Sequence, residues 1–356
     1  MVEKLRVDVP TREVAELGRR IRDTRWPDSV ADDWQRGTRP SALRRLLDHW
    51  SAYDWFALQQ RINGQDHVLV PTADGRVHVW RAGRRGAPAL LLIHGWPDSF
   101  LRYDRVVPLL AADFDLVVPS VPGYGFSDRP MHGGTASAWT AAVLSEVMEK
   151  LGIERYGVHG GDIGTGIAEQ LTLAHPERIT GLHLGDMPLW RALGADDLTG
   201  AERSWVEGAA AWSESEGAYS TLQRTKPQTL AAGLTDSPAG LASWQLEKFQ
   251  AWGEGDVFER IPIDLIAANL SVYWYTRTAA SAARYYYESR ITPPTGGRVE
   301  VRTAFGLWPH DIQVAPRSFA ERMYPLERFT EFPRGGHFGA MEEPELLAAD
   351  LRAFFG

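Results

Sequence analysis

The 356-residue chain contains no cysteine. That excludes disulfide frameworks, thiolate-bound zinc, iron–sulfur clusters and thiol catalysis together, so covalent chemistry here must use an oxygen or nitrogen nucleophile. Positive charge is also in short supply: 38 basic residues against 46 acidic ones leave a net charge of −8, and no nucleic-acid surface is expected. Long apolar runs are missing too. The stretch 87–93 falls far short of the roughly 18–20 residues that cross a bilayer, so no membrane anchor is expected. The first residues carry charges and a proline where a secretory signal needs an apolar segment, and the expected location is cytoplasmic. No pattern calls for a cofactor or a metal. What is abundant is aromatic side chains, with 14 Trp and 11 Tyr.

At 356 residues the chain exceeds one ordinary core of roughly 100–200 residues, so a large domain with additions is expected. Residues 1–66 read as a Trp-rich helical arm without the alternation of a sheet. Thr11 to Val14 open a helix with a capping pattern, 23–28 break it, and 41–55 resume it. A strand pair follows at 67–71 and 76–81 around Asp74-Gly75, then an apolar strand, 89–93, of the buried parallel type. Strands at 114–119, 156–160 and 179–184 then alternate with helices at 137–151 and 163–174. This alternation predicts a doubly wound, mostly parallel α/β sheet with helices on both faces. It stops near 187, where a helical segment with six Trp and six Tyr begins, and resumes with strands at 298–305 and 329–332 and a helix at 343–355. The predicted organisation is an arm (1–66), a first core part (67–187), an inserted lid (188–291) and a second core part (292–356).

Gly160-Gly161-Asp162-Ile163-Gly164 joins a predicted strand to a predicted helix with the spacing small–x–nucleophile–x–small. A sharp strand-to-helix turn crowds its neighbours, hence the glycines, and presents the central side chain as a nucleophile. The alternative is that Asp162 merely caps the helix. An Asp nucleophile restricts the reaction, because attack on saturated carbon leaves an alkyl ester that water can cleave. Epoxide opening and carbon–halogen cleavage both fit. His94-Gly95-Trp96-Pro97 follows the strand 89–93, where this architecture places an oxyanion loop, so the N–H groups of Trp96 and Ile163 are the candidate donors, with the His94 side chain structural. His337, in a glycine-rich loop before the last helix, is the candidate general base. Its orienting acid is Asp311, with Asp186 as the alternative.

Several runs now combine: Thr24-Arg25-Trp26-Pro27 in the arm, His94-Gly95-Trp96-Pro97 and Gly160-Gly161-Asp162 in the core, Thr225-Lys226-Pro227 in the lid, and Arg334-Gly335-Gly336-His337-Phe338 near the end. In these the chain resembles the microsomal-type epoxide hydrolases, which include juvenile hormone epoxide hydrolases and bacterial relatives in secondary metabolism. The resemblance implies an α/β-hydrolase fold with a lid, no cofactor, a hydrophobic epoxide and water as substrates, and a vicinal diol as product. It also implies two lid tyrosines that donate to the epoxide oxygen. One precedes Thr225-Lys226-Pro227 and is Tyr219; the other lies in Arg284-Tyr285-Tyr286-Tyr287-Glu288 and is Tyr286, with the register open by one residue. Trp96, Tyr285, Tyr287 and Phe338 are expected to touch the substrate. The membrane-bound members have an anchor that is not expected here, and can have Glu where this chain has Asp311. A haloalkane dehalogenase shares the Asp elbow, but usually has Trp directly after the nucleophile, where this chain has Ile163. A ligand-binding homologue that has lost catalysis is the remaining alternative.

Overall fold

The computed structural model describes every residue except 193, 194 and 196. One sheet organises the described chain: β1 (Glu3–Lys4), β2 (Asp66–Thr72), β3 (Gly75–Gly83), β4 (Ala89–Ile93), β5 (Asp115–Pro119), β6 (Tyr156–Gly160), β7 (Ile179–Leu184), β8 (Thr303–Leu307) and β9 (Leu326–Glu331), in the spatial order β1-β2-β3-β5-β4-β6-β7-β8-β9. From β5 to β9 the neighbours are parallel; the β1–β2, β2–β3 and β3–β5 pairs are antiparallel. β4 shows why a continuous apolar run forms a central strand: Leu90 to Ile93 are fully buried, with parallel partners on both sides. The chain leaves β4 for β5 on one side and returns to β6 on the other. This reversal opens a crevice at the carboxyl ends of the strands, the usual place for a site in such sheets.

The arm differs from its sequence reading in two ways. It contributes an edge strand, β1, whose Glu3 and Lys4 pair with Leu69 and Val68. The stretch 41–55 is two helices, Pro40–Ala52 and Trp55–Gly64, because Asp54 accepts the Ala57 N–H at 3.0 Å and starts a new helix there. At the first helix, Thr11–Arg22, Pro10 holds the cap position and Thr11 lies within the first turn. Two buried indoles fasten the arm to the lid: Trp50 Nε1 donates to Ser271 Oγ at 2.8 Å, and the Trp55 ring lies 4.5 Å from Tyr275. Burying an indole of about 150–250 Å² contributes roughly 4–6 kcal/mol as an upper value, enough to keep the arm docked.

The lid runs between β7 and β8 and includes helices Gly200–Glu216, Ala218–Thr225, Pro227–Asp236, Pro238–Ala251, Ile263–Thr276 and Ala279–Ile291. Their starts follow local chemistry. Thr199 and Glu202 form a reciprocal capping box, and Ser237 caps the helix whose first residue is Pro238. The predicted strand 298–305 is in place only from Thr303. Among the described residues no helix is long and apolar enough to cross a membrane.

Candidate active site

Asp162 stands between β6 and helix Ile163–Ala174 with φ +56° and ψ −128°, a conformation that costs a non-glycine residue of order 1–3 kcal/mol. Close packing demands the flanking glycines. A Cβ on Gly160 would lie 2.1 Å from the Gly164 carbonyl oxygen, and one on Gly164 would lie 2.2 Å from that of Ile93. The Asp162 side chain makes no cap to its own helix. Asp186 supports the turn instead, its Oδ2 accepting the Asp162 N–H at 2.6 Å and the Thr165 hydroxyl at 2.9 Å.

The Asp162 carboxylate faces the loop after β4, where the Trp96 N–H donates to Oδ1 at 2.7 Å. Gly95 permits this approach, since a Cβ there would fall 2.4 Å from Asp162 Cβ and Oδ1. The loop is held by buried groups. His94 Nε2 accepts the Val121 N–H at 3.0 Å, which leaves the proton on Nδ1 for the Gly95 carbonyl at 2.9 Å. Asp98 Oδ1 accepts the Gly95 N–H at 2.9 Å. Burial pushes the Asp98 carboxyl up, but Arg102 and His94 outweigh it and hold it at about 2. Sequence reasoning missed this Asp98–Arg102 pair, whose signal was opposite charges four residues apart directly after the oxyanion loop.

His337 meets both carboxylates. Its Nδ1 lies 2.7 Å from Asp311 Oδ1, and its Nε2 lies 3.2 Å from Asp162 Oδ2 without the alignment of a hydrogen bond. Burial alone would lower the imidazole; Asp311 and Asp162 overcome it and push it up to about 10. Asp311 Oδ1 also accepts the Ile312 N–H at 2.6 Å. Of the two candidate acids, Asp311 is therefore the one in hydrogen-bond contact with the imidazole. Asp186 is raised to about 7, first by burial and then by Asp311, with His337 opposing. The lid also reaches the histidine: the Trp252 carbonyl accepts the His337 N–H at 2.8 Å, and the Trp252 ring stands edge-on 5.0 Å away. Glu342 accepts the Gly336 N–H at 2.9 Å and lies 3.0 Å from Arg260 of the lid. The ties from Trp252 and Arg260 join residues far apart in the chain, and no local pattern announces them.

Above the oxyanion loop, Tyr219 stacks on Trp96 with ring centres 5.2 Å apart and 5° between planes. Tyr286 is edge-on to Trp96 at 5.6 Å and to Tyr219 at 6.0 Å. Burial first, then the Asp162 charge, raises the Tyr219 phenol; burial, Tyr219 and Asp162 raise that of Tyr286. Both remain O–H donors at neutral pH. Successive helical residues turn by about 100°, so the three adjacent tyrosines point differently. Tyr285 reaches the cavity, but its hydroxyl is 2.9 Å from Ser137 Oγ. Two expectations need correction. Tyr287 lines a separate pocket with Lys226, Arg284 and Glu288, and Phe338 is wholly buried behind the histidine against Phe249 and Trp252. Trp96 is buried under Tyr219 and offers the site its N–H more than its ring face.

A cavity of about 450 Å³ opens over this cluster. Asp162, Asp311, His337 and Tyr219 line its reactive end, and Met187, Leu189, Trp190, Trp212 and Ile312 give it an apolar wall. The arrangement offers a strained carboxylate with an N–H donor on one oxygen and an imidazole beside the other, with the Tyr219 phenol at the cavity and the Tyr286 ring packed edge-on against it and Trp96.

Residues 2–103 match the family model described as the epoxide hydrolase N terminus, and residues 88–205 match that of the alpha/beta hydrolase fold. A Stigmatella aurantiaca protein named "Putative epoxide hydrolase" is 34% identical over 99% of this chain and 84% of its own. Epoxide hydrolase 1 of Sus scrofa is 28% identical over 100% of this chain and 88% of its own. Among solved structures, the juvenile hormone epoxide hydrolase of the silkworm Bombyx mori superposes with a TM-score of 0.86 at 29% identity, covering 99% of this chain and 93% of that one. The epoxide hydrolase of Aspergillus niger superposes with a TM-score of 0.87 at 26% identity, covering 99% and 96%.

Proposed function

The chain belongs to the epoxide hydrolase family, on an α/β-hydrolase scaffold, and from that premise we propose that it opens a bulky hydrophobic epoxide through a covalent Asp162 ester. The observation that carries this reading is the placing of one carboxylate between the Trp96 N–H and the His337 imidazole. Oδ1 already sits where the carbonyl oxygen of an ester would need its donor, so Oδ2 is the attacking atom. It forms a bond to a ring carbon as the carbon–oxygen bond of the epoxide breaks. Tyr219 and Tyr286 donate to the departing oxygen, which takes a proton from one phenol, itself reprotonated by water, and becomes the first hydroxyl.

Attack consumes the Asp162 charge, one of the two that raise His337, and so brings the imidazole closer to its neutral form. His337, oriented by Asp311, then takes a proton from water, and the hydroxide adds to the ester carbon. The Trp96 and Ile163 N–H groups stabilise the oxyanion, the latter being free of helix bonding as the first residue of its helix. Collapse breaks the acyl carbon–oxygen bond, the His337 proton passes to the leaving oxygen, the vicinal diol departs, and the regenerated Asp162 carboxyl releases its proton to water. The apolar wall of the cavity supports a bulky hydrophobic substrate. The absence of any membrane-crossing helix among the described residues accords with a cytoplasmic location, which fractionation would test.

One single turnover in ¹⁸O-water, with enzyme in excess, tests the route. The label should enter the Asp162 carboxylate and leave the diol unlabelled; label in the first diol would mean direct attack by water. A His337→Gln variant should accumulate the ester, visible by intact mass.

A further inference from the structure

Arg102 is 5% exposed and Asp98 is 0% exposed, directly beneath the reacting groups. Arg102 Nη1 pairs with Asp98 Oδ2, and Asp98 Oδ1 accepts the N–H of Gly95, the residue before the Trp96 donor. Arg102 Nη2 donates to the carbonyl oxygen of His337 at 2.9 Å. The same nitrogen fills the space under the elbow, where a Cβ on Gly161 would approach it to 2.8 Å. From above, Tyr273 donates to the Asp98 carbonyl at 3.0 Å and Asn269 to that of Pro97 at 2.8 Å.

Burying two charges costs several kcal/mol each, and well-packed apolar side chains would stabilise such a place at least as well. What an apolar pair cannot do is hold two loops at a set separation. A guanidinium is a rigid planar fork, and here one prong serves the oxyanion loop while the other serves the base loop.

We propose that Arg102, set by Asp98, is the positioning residue of the ester-hydrolysis half-reaction, fixing the Trp96 donor and the His337 base relative to each other. The inference rests on the reading of Asp162 as nucleophile and His337 as base. In the first half-reaction the carboxylate is placed by the elbow and Asp186 as well as by the Trp96 N–H, and the phenols by the lid. In the second, water must lie on the line from His337 Nε2 to the ester carbon while Trp96 N–H meets the oxyanion. Both of these partners are tied through Arg102, whereas the first step needs neither a base nor an oxyanion donor, so its loss falls chiefly on the second step.

The test compares Arg102→Lys and the double variant Asp98→Asn/Arg102→Gln with wild type and His337→Gln. Each is mixed in excess with a phenyl-substituted epoxide and followed by rapid quench, intact mass and thermal unfolding. Lysine keeps the charge but cannot serve both loops, and the double variant removes the pair without stranding a charge. Alkylation should stay close to wild type while ester hydrolysis slows about 10²-fold, as expected for misplaced reacting groups, so that the ester persists. Unchanged hydrolysis in both variants, or equal loss of both steps alongside a lower Tm, would overturn the proposal and leave the pair a structural bolt. If His337→Gln holds no ester either, the nucleophile-and-base reading itself fails, and the inference falls with it.

Discussion

Asp311→Asn tests the proposed orienting of His337 by its acid most directly. Asp311 Oδ1 accepts from His337 Nδ1 at 2.7 Å and from the Ile312 N–H at 2.6 Å. An asparagine oxygen keeps the geometry of both bonds and loses the charge. A hydrogen bond to a charged partner contributes about 1.5–3 kcal/mol, so ester hydrolysis should slow roughly 10- to 150-fold. Alkylation should be spared. Asp311 is the foremost group raising His337, so the acid limb of the hydrolysis profile should move to lower pH even as the plateau falls. Stability carries the same signature. With a folded value of about 10 against about 6.5 unfolded, the paired imidazolium stabilises fully below pH ~6.5, and that contribution fades as pH rises towards 10. The Tm deficit of Asp311→Asn should therefore be larger at pH 6 than at pH 10. Stopped-flow tryptophan fluorescence can follow both half-reactions, since Trp252 lies 5.0 Å from the imidazole. Wild-type hydrolysis in Asp311→Asn, with the loss appearing in Asp186→Asn, would refute the assignment.

Tyr286→Phe should slow the alkylation burst by roughly 10²-fold or more, as for loss of one oxyanion donor, and Tyr219→Phe likewise. Tyr285→Phe, which breaks only the contact with Ser137, and Tyr287→Phe should leave the burst close to wild type; the reverse order would move the register. Gly95→Ala drives a methyl to 2.4 Å from the Asp162 side chain and should abolish turnover, while chemical denaturation should show a loss of only about 1–3 kcal/mol. His67, His78 and His159 are buried and depressed below their ordinary value, mainly by burial, with His67 at about 3. The unfolded chain therefore binds more protons below pH ~6.5, and each site lowers stability by up to about 1.4 kcal/mol per pH unit on acidification. Calorimetry should show Tm falling from pH 7 to pH 5; a flat Tm would contradict neutral burial.

The features legible in the sequence are those with a local cause. A five-residue apolar run can only be a buried strand like β4, and glycines around Asp162 answer to atoms within a few residues or one strand away. β1 escaped because two charged residues carry no pattern; its pairing is decided by β2. Tyr287 and Phe338 were misassigned because adjacency in sequence says little about direction, and one step along a helix turns a side chain out of the site. The choice between Asp311 and Asp186 needed three dimensions, since both follow strands of one sheet and only distance separates them. Arg102 was silent for the same reason: its partner His337 lies 235 residues away.

The seam between the Trp252 carbonyl and the His337 N–H bears on how molecules come and go. A Cβ on Gly336 would strike Trp252 O and Gly253 Cα at 2.6 Å, so the two chains touch without slack. Were the lid to swing away as a rigid body, it would pull His337 out of alignment on every cycle. The wall formed by residues 186–190 and helix Gly200–Glu216, which also borders the cavity, carries no such tie to His337 among the described residues. Its lining there is apolar, and a diol, wetter than an epoxide, is the species that such a wall would hold back least.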